Sequence, residues 1–365
     1  MKSLKIIILM LVAHVSVFAQ NREISLERGT LNHALQKAKQ TGKLVFVDCN
    51  TTWCGPCKEM AATVFKTDSV ADFFNSSLIS VDLDMEKGEG LAALKTYKVG
   101  AFPSFLLLNG DGDLVYKFVG SMPANEFMEQ IRQGIKPDNK VAVMNKMYAF
   151  GNRDDKFIAA YIRLKIEMQE ITQAQQIAKE YFNRLSEERR TALDNWFMYG
   201  ENKYRLYLSD IHSDNFSYLA KNWKAFAKVV SRDTVEKRLD EAYRKIANYC
   251  LEGFYFKNHP YNKADFDEYR QDIRATELAD KDQLLVLMDI AQAAGEKDKI
   301  KVSDILAIHI ADMNAENQKV FCSFFAFCAA GNIIPIPKMT EIKQKILKTS
   351  KDEFLTGFVK TLVSN

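Results

Sequence analysis

Residues 45–58 read Val45-Phe46-Val47-Asp48-Cys49-Asn50-Thr51-Thr52-Trp53-Cys54-Gly55-Pro56-Cys57-Lys58. Leu44 to Cys49 is a short apolar run of the kind that forms a buried central strand. A helical stretch is expected from near Cys54 to past Met60 and Val64. The two cysteines therefore fall at a strand-to-helix turn. Disulfide exchange needs two sulfurs close enough to bridge, one of them reactive near neutral pH. At a helix start, free backbone N–H groups and the helix dipole favour an anion. Cys54 is thus expected to be the nucleophile, its pKa depressed. Cys57, one turn inside and more buried, is expected to be the resolving thiol that releases the reduced substrate. The same spacing also makes half of a zinc site or a purely structural short disulfide. Zinc takes about four ligands, and the other four cysteines and five histidines lack a second pair at such spacing. No metal ligand set and no cofactor motif is expected.

Outward from this stretch, helices and strands alternate. Leu31, Ala34, Leu35 and Ala38 keep a helical spacing that Gly42 stops. Leu78 to Leu83 reads as a strand and Gly90 to Tyr97 as a helix. Ser104 to Leu108, the turn Asn109-Gly110-Asp111-Gly112, and Leu114 to Val119 read as a hairpin. Ala124 to Gln133 follows Pro123 as a helix. This order predicts an α/β domain, a mixed central sheet flanked by helices.

Trp53-Cys54-Gly55-Pro56-Cys57-Lys58 resembles the active-site motif of the thioredoxin family, and the resemblance extends over roughly residues 28–135. It implies that Asp48 is a buried acid that takes and returns the proton of Cys57, provided burial lifts its pKa toward neutrality. It also implies that Phe102-Pro103 is a cis-proline loop facing the cysteines, with the backbone of Phe102 pairing with substrate. Trp53, Gly55 and Pro56 complete the implied substrate surface, around a redox-active Cys54–Cys57 disulfide. Residues 59–65 and 70–75 look closest to the branch holding the periplasmic C-terminal domain of the transmembrane thiol:disulfide interchange proteins. In one respect the chain departs from thioredoxin. Where thioredoxin has a lysine beside the buried acid, alignment on Asp84 puts Ser80, so a cationic neighbour is lost. Cys49, next to Asp48, points to the opposite face of the sheet and reads as core.

Composition divides the 365 residues. Ten of 16 glycines precede residue 138, and the remainder of the chain is turn-poor and helix-rich. The proline-bearing joint Lys136-Pro137-Asp138-Asn139 marks the expected boundary between a thioredoxin-like domain, 20–137, and an all-α, possible helical-repeat domain, 138–365. Stripes at Phe157/Tyr161/Leu164, Ile177/Ala178/Tyr181/Phe182/Leu185 and Leu219/Trp223/Phe226/Val229 each predict a helix. No fixed repeat period emerges, and an irregular bundle is the competing arrangement. His212, His259 and His309 stand alone in sequence and read as structural. Cys322 and Cys328, six apart in a helical run, would lie on different faces, out of disulfide reach.

Residues 1–19 have the pattern of a secretory signal. Lys2 and Lys5 precede the apolar run Ile6 to Phe18, and Val17-Phe18-Ala19 supplies a cleavage end. An uncleaved N-terminal anchor is the alternative. Loss of the two lysines takes the formal charge of +3 down to +1. The mild basicity thus belongs mostly to this segment and gives no support for nucleic-acid binding, which normally shows a clustered basic face. Asn50-Thr51-Thr52 is a glycosylation-type triplet, but a glycan there would crowd the cysteines. Export to a bacterial periplasm is therefore expected.

These features predict an exported thiol–disulfide oxidoreductase that reduces protein or peptide disulfides through Cys54 and Cys57. A membrane thiol:disulfide interchange protein is the expected electron donor. An isomerase or oxidase would use the same sulfurs at a higher potential. In a third reading the helical domain captures a partner, and the thioredoxin-like domain is a scaffold or redox switch.

Overall fold

A threonine opens the first helix: Thr30 Oγ1 accepts the His33 N–H at 3.1 Å, meeting one of the free donors of a helix start. α1, Leu31–Thr41, buries Leu31, Ala34 and Ala38 and ends at Gly42, whose φ of 70° suits a residue without a side chain. The computed structural model from which these details come describes residues 22–27, 29–204 and 206–362. The expected secretory signal lies outside them.

The first unit holds one four-stranded sheet in the order β2-β1-β3-β4. β1 is Leu44–Asn50, β2 Leu78–Asp84, β3 Ser104–Leu108 and β4 Leu114–Val119. β1 runs parallel to β2 and antiparallel to β3, and β3 and β4 form the expected hairpin. The sheet is mixed, with helices on both faces, as the sequence predicts. Asn109 shapes the hairpin turn, its Oδ1 accepting the N–H groups of Asp111 and Asp113 at 3.0 and 2.8 Å.

Alternation along the strands sorts the two faces. Val45, Val47 and Cys49 join Val81, Leu106 and Leu108 in a core that α1 helps to close. On the other face, Phe46 and Phe105, stacked on each other, meet Phe65, Phe74 and Phe127 in a layer of edge-on ring contacts. Phe74 belongs to α3, Asp68–Ser77, and Phe127 to α5, Ala124–Gly134. The helix expected to run past Val64 does not. α2, Gly55–Ala62, stops at Thr63, and Val64–Lys66 is a single 3-10 turn. That break turns both Val64 and Phe65 into the core. α4 is Glu89–Thr96.

The described residues group by contact into two compact units, divided between Ile171 and Thr172. The joint at 136–139 is a change in composition, and two further helices, α6 (Lys140–Ala149) and α7 (Asp155–Glu167), belong to the first unit. The second unit is mostly helical. The expected single helix through Leu219, Trp223, Phe226 and Val229 is two, Asp214–Lys221 and Trp223–Val229, broken at Asn222. Leu219, Trp223 and Phe226 are buried but Val229 is exposed, because the second helix starts a new axis. His212 and His259, 47 residues apart in sequence, stack with ring centroids 4.2 Å apart. The fold thus pairs two histidines that stand alone in the sequence. Cys49, Cys250 and Cys328 are buried free thiols, and Cys322 is a half-buried one.

Candidate active site

β1 delivers the chain to the surface at Asn50, and Cys54 then caps α2. Its Sγ accepts the backbone N–H of Cys57 at 3.1 Å, so the sulfur occupies the anion position of a helix N-terminus. Pro56 sits in the first turn, where a missing N–H costs nothing. Cys54 and Cys57 are joined by a disulfide, with their Cα atoms 5.3 Å apart. The expected difference in burial is absent: Cys54 is 3% exposed and Cys57 5%.

Two loops meet at the pair. The Phe102–Pro103 peptide bond is cis. The exposed indole of Trp53 packs edge-on against Phe102, with ring centroids 5.9 Å apart, and donates to Glu86 Oε1 at 3.0 Å. Trp53, Cys54 and the proline loop are therefore assembled at one end of the sheet. Gly55 and Pro56 are exposed beside them, and Pro103 is buried.

Asp48 is 6% exposed, at the end of the phenylalanine layer and on the same face as Phe46. Its Oδ1 has no hydrogen-bond partner among the described residues. Burial, reinforced by the negative charge of Asp82, pushes its carboxyl up to about 7. The register explains the second contribution. Ser80 pairs with Phe46, whereas Asp82 stands directly beside Asp48. The residue directly beside the buried acid, Asp82, therefore carries an anion, while position 80, two residues back along β2, lacks the cation. Asn50 donates a hydrogen bond to Asp82. Sequence alignment on Asp84 draws attention to position 80, and only strand register brings Asp82 into view. Cys49 lies on the opposite face, and burial, followed by the charge of Asp48, drives its thiol far up. It is a core residue and a poor nucleophile. Among the described residues no group of three or more His, Cys, Asp or Glu side chains is placed to hold a metal.

Comparison with known proteins places this geometry. Residues 31–135 match the thioredoxin-like domain family. Thioredoxin Y2 of Arabidopsis thaliana is 32% identical over 110 residues, 30% of this chain and 62% of that protein. Thioredoxin H-type of Fagopyrum esculentum is 36% identical over 90 residues, 25% of this chain and 72% of that protein. The thiol:disulfide interchange protein DsbD of Pseudomonas fluorescens is 31% identical over 106 residues, 28% of this chain but 18% of that protein. The chain thus spans less than two thirds of the length of two of these relatives, and the matches leave its helical second unit uncovered. With the dithiol turn, the buried acid and the cis-proline loop all inside the matched segment, the chain belongs to the thioredoxin family.

Proposed function

We propose that this protein is a thiol–disulfide oxidoreductase that reduces disulfides in proteins of a bacterial cell envelope. The observation that carries the reading is the cap geometry. Cys54 Sγ accepts a helix N-terminal N–H at 3.1 Å, and the same sulfur is bonded to Cys57 one turn inside. In the reduced protein, that N–H and the helix dipole stabilise a Cys54 thiolate.

The cycle balances as follows. The Cys54 thiolate attacks one sulfur of the client disulfide. A mixed disulfide forms, and the other client sulfur leaves as a thiolate that takes a proton. Asp48 accepts the Cys57 proton, a transfer suited to a carboxyl titrating near neutrality. Cys57 then attacks Cys54 Sγ, the client leaves as a dithiol, and the Cys54–Cys57 bond is regenerated. The client gains two electrons, which a donor dithiol must restore. The likeness to the interchange protein of Pseudomonas fluorescens supports a membrane interchange protein in that role. The apolar, lysine-led segment 1–19 supports export. Phe102 and Pro103 supply the backbone edge that a client chain pairs with, and Trp53, Gly55 and Pro56 the surface around it.

The reduction potential of the Cys54–Cys57 pair, equilibrated against glutathione buffers, tests the direction of exchange. A value near about −270 mV supports a reductase. A value of about −120 to −180 mV replaces it with an isomerase or oxidase. A pair that does not exchange at all leaves a binding module, with the thioredoxin-like domain as scaffold.

A further inference from the structure

A buried charge cluster lies behind the proline loop, on the sheet face opposite Asp48. Lys117 of β4 has a fully buried side chain. Its Nζ donates to the carbonyl oxygens of Tyr97 and Lys98 at 3.1 and 2.6 Å and to Glu170 Oε1 at 3.3 Å. The other oxygen of Glu170 accepts from Lys165 Nζ at 3.0 Å. Lys165 also donates to Asn145 Oδ1 at 3.1 Å, which the Tyr161 hydroxyl reaches at 2.9 Å. Two buried cations thus share one buried anion. The carbonyls of 97 and 98, at the negative end of α4, help to balance the excess.

Those carbonyls begin the segment that leads to Pro103. Lys98 has a φ of 50°, a conformation that a lysine does not favour by itself. Two residues on, the chain passes so close to the α7 end that a Cβ on Gly100 would lie 2.4 Å from the Gln169 carbonyl oxygen. Gln169 also has a positive φ, 56°. Residues 97–100 are therefore gripped from two sides, by the Lys117 ammonium and by the Gln169–Glu170 corner.

We propose that Lys117 and Glu170 are positioning residues for the cis-proline loop, acting through residues 97–100 on the edge that client backbone meets. The corner lies beyond the matched thioredoxin-like segment, so the helices after residue 135 complete the substrate site. This rests on the exchange activity proposed above, and the first test does not depend on it. In the oxidised full-length protein, Glu170→Gln removes the shared anion, and Gly100→Ala pushes the loop from the corner without changing charge. Hydrogen exchange of 98–104 is expected to speed up about tenfold in both variants, with the β1 amides 45–49 unchanged. Unchanged protection of 98–104 in both, or an equal loss across the whole unit, overturns the proposal.

The second test separates positioning from simple structural support. With insulin as the protein disulfide, KM is expected to rise about fivefold in Glu170→Gln while kcat holds within about twofold. The rate with the small disulfide dithiobis(nitrobenzoate), which has no backbone to pair, and the Cys54–Cys57 reduction potential are expected to stay at wild-type values. An unchanged KM for insulin, or an equal loss on both substrates, also overturns it. Failure of the wild-type chain to exchange with either substrate refutes the oxidoreductase reading instead, and the exchange map of 98–104 alone then decides the grip.

Discussion

Asp48 is where sequence and environment meet most closely. A carboxyl between Val47 and Cys49 in an apolar strand is legible as buried. Its tuning is not, because that depends on which residue of β2 stands beside it. The folded carboxyl titrates at about 7 against an ordinary 3.8, so between these values the folded state holds a proton that the unfolded chain has released. Stability is therefore highest at acid pH with respect to this group, falls as pH rises through this window, and levels off above about 7. The displacement corresponds to about 4 kcal/mol. Asp48→Asn removes this dependence, so the oxidised variant is expected to be more stable than the wild type at pH 8 by a few kcal/mol. Urea denaturation at pH 5 and pH 8 measures it, and a variant no more stable at pH 8 would count against the raised pKa. The same substitution is expected to slow client release about tenfold or more near pH 7, since Cys57 loses its proton acceptor. Cys57→Ser should go further and trap mixed disulfides on Cys54, visible as adducts on non-reducing gels.

At the scale of elements, the strands and the helices around them are readable because each carries one period. β1, β3 and β4 have the bounds that their apolar runs give, within a residue, and Gly42 ends α1 where it should. The break at Thr63 is hidden because the apolar spacing continues through it. Phe65 is buried by leaving the helix axis, and no local signal records that. Phe46 shows what this turn achieves. Its ring contacts Phe65, Phe74, Phe105 and Phe127 from four separate pieces of chain, and it is fully buried. Phe46→Ala removes contacts that no neighbour can replace without opening the layer, at an expected cost of about 3–5 kcal/mol by chemical denaturation. The layer also isolates Asp48 from water. The variant should therefore lower the Asp48 pKa as it loosens the sheet, which a carboxyl-specific infrared titration reads separately from stability.

At the scale of the whole molecule, the dithiol site is legible from residues 45–58 and 102–103, while the helical unit is legible as helical and little more. Its partners in space, such as His212 with His259, are set by tertiary packing that no short motif encodes. Arg238 shows how that unit is held. The helix Arg232–Leu251 carries it, 5% exposed, and it donates to the carbonyls of Tyr199 and Ser209 at 2.7 and 2.6 Å. Its guanidinium lies 3.8 Å from the centre of the Tyr207 ring. Burial pulls its pKa down to about 10, yet it stays charged at neutral pH. Arg238→Met keeps the stem but strips donors from the buried carbonyls of a stretch with little regular structure. The expected loss is about 3 kcal/mol or more, read as a lower midpoint in far-ultraviolet circular dichroism. The features argued to set thiol reactivity all lie between Asp48 and Pro103, in the first unit. Reduction of a small aromatic disulfide by this variant should therefore match the wild type at temperatures below the new midpoint. Insulin reduction under the same conditions then reports on the helical unit itself. A fall confined to insulin means that this unit takes part in holding the client, and equal rates mean that reduction proceeds without it.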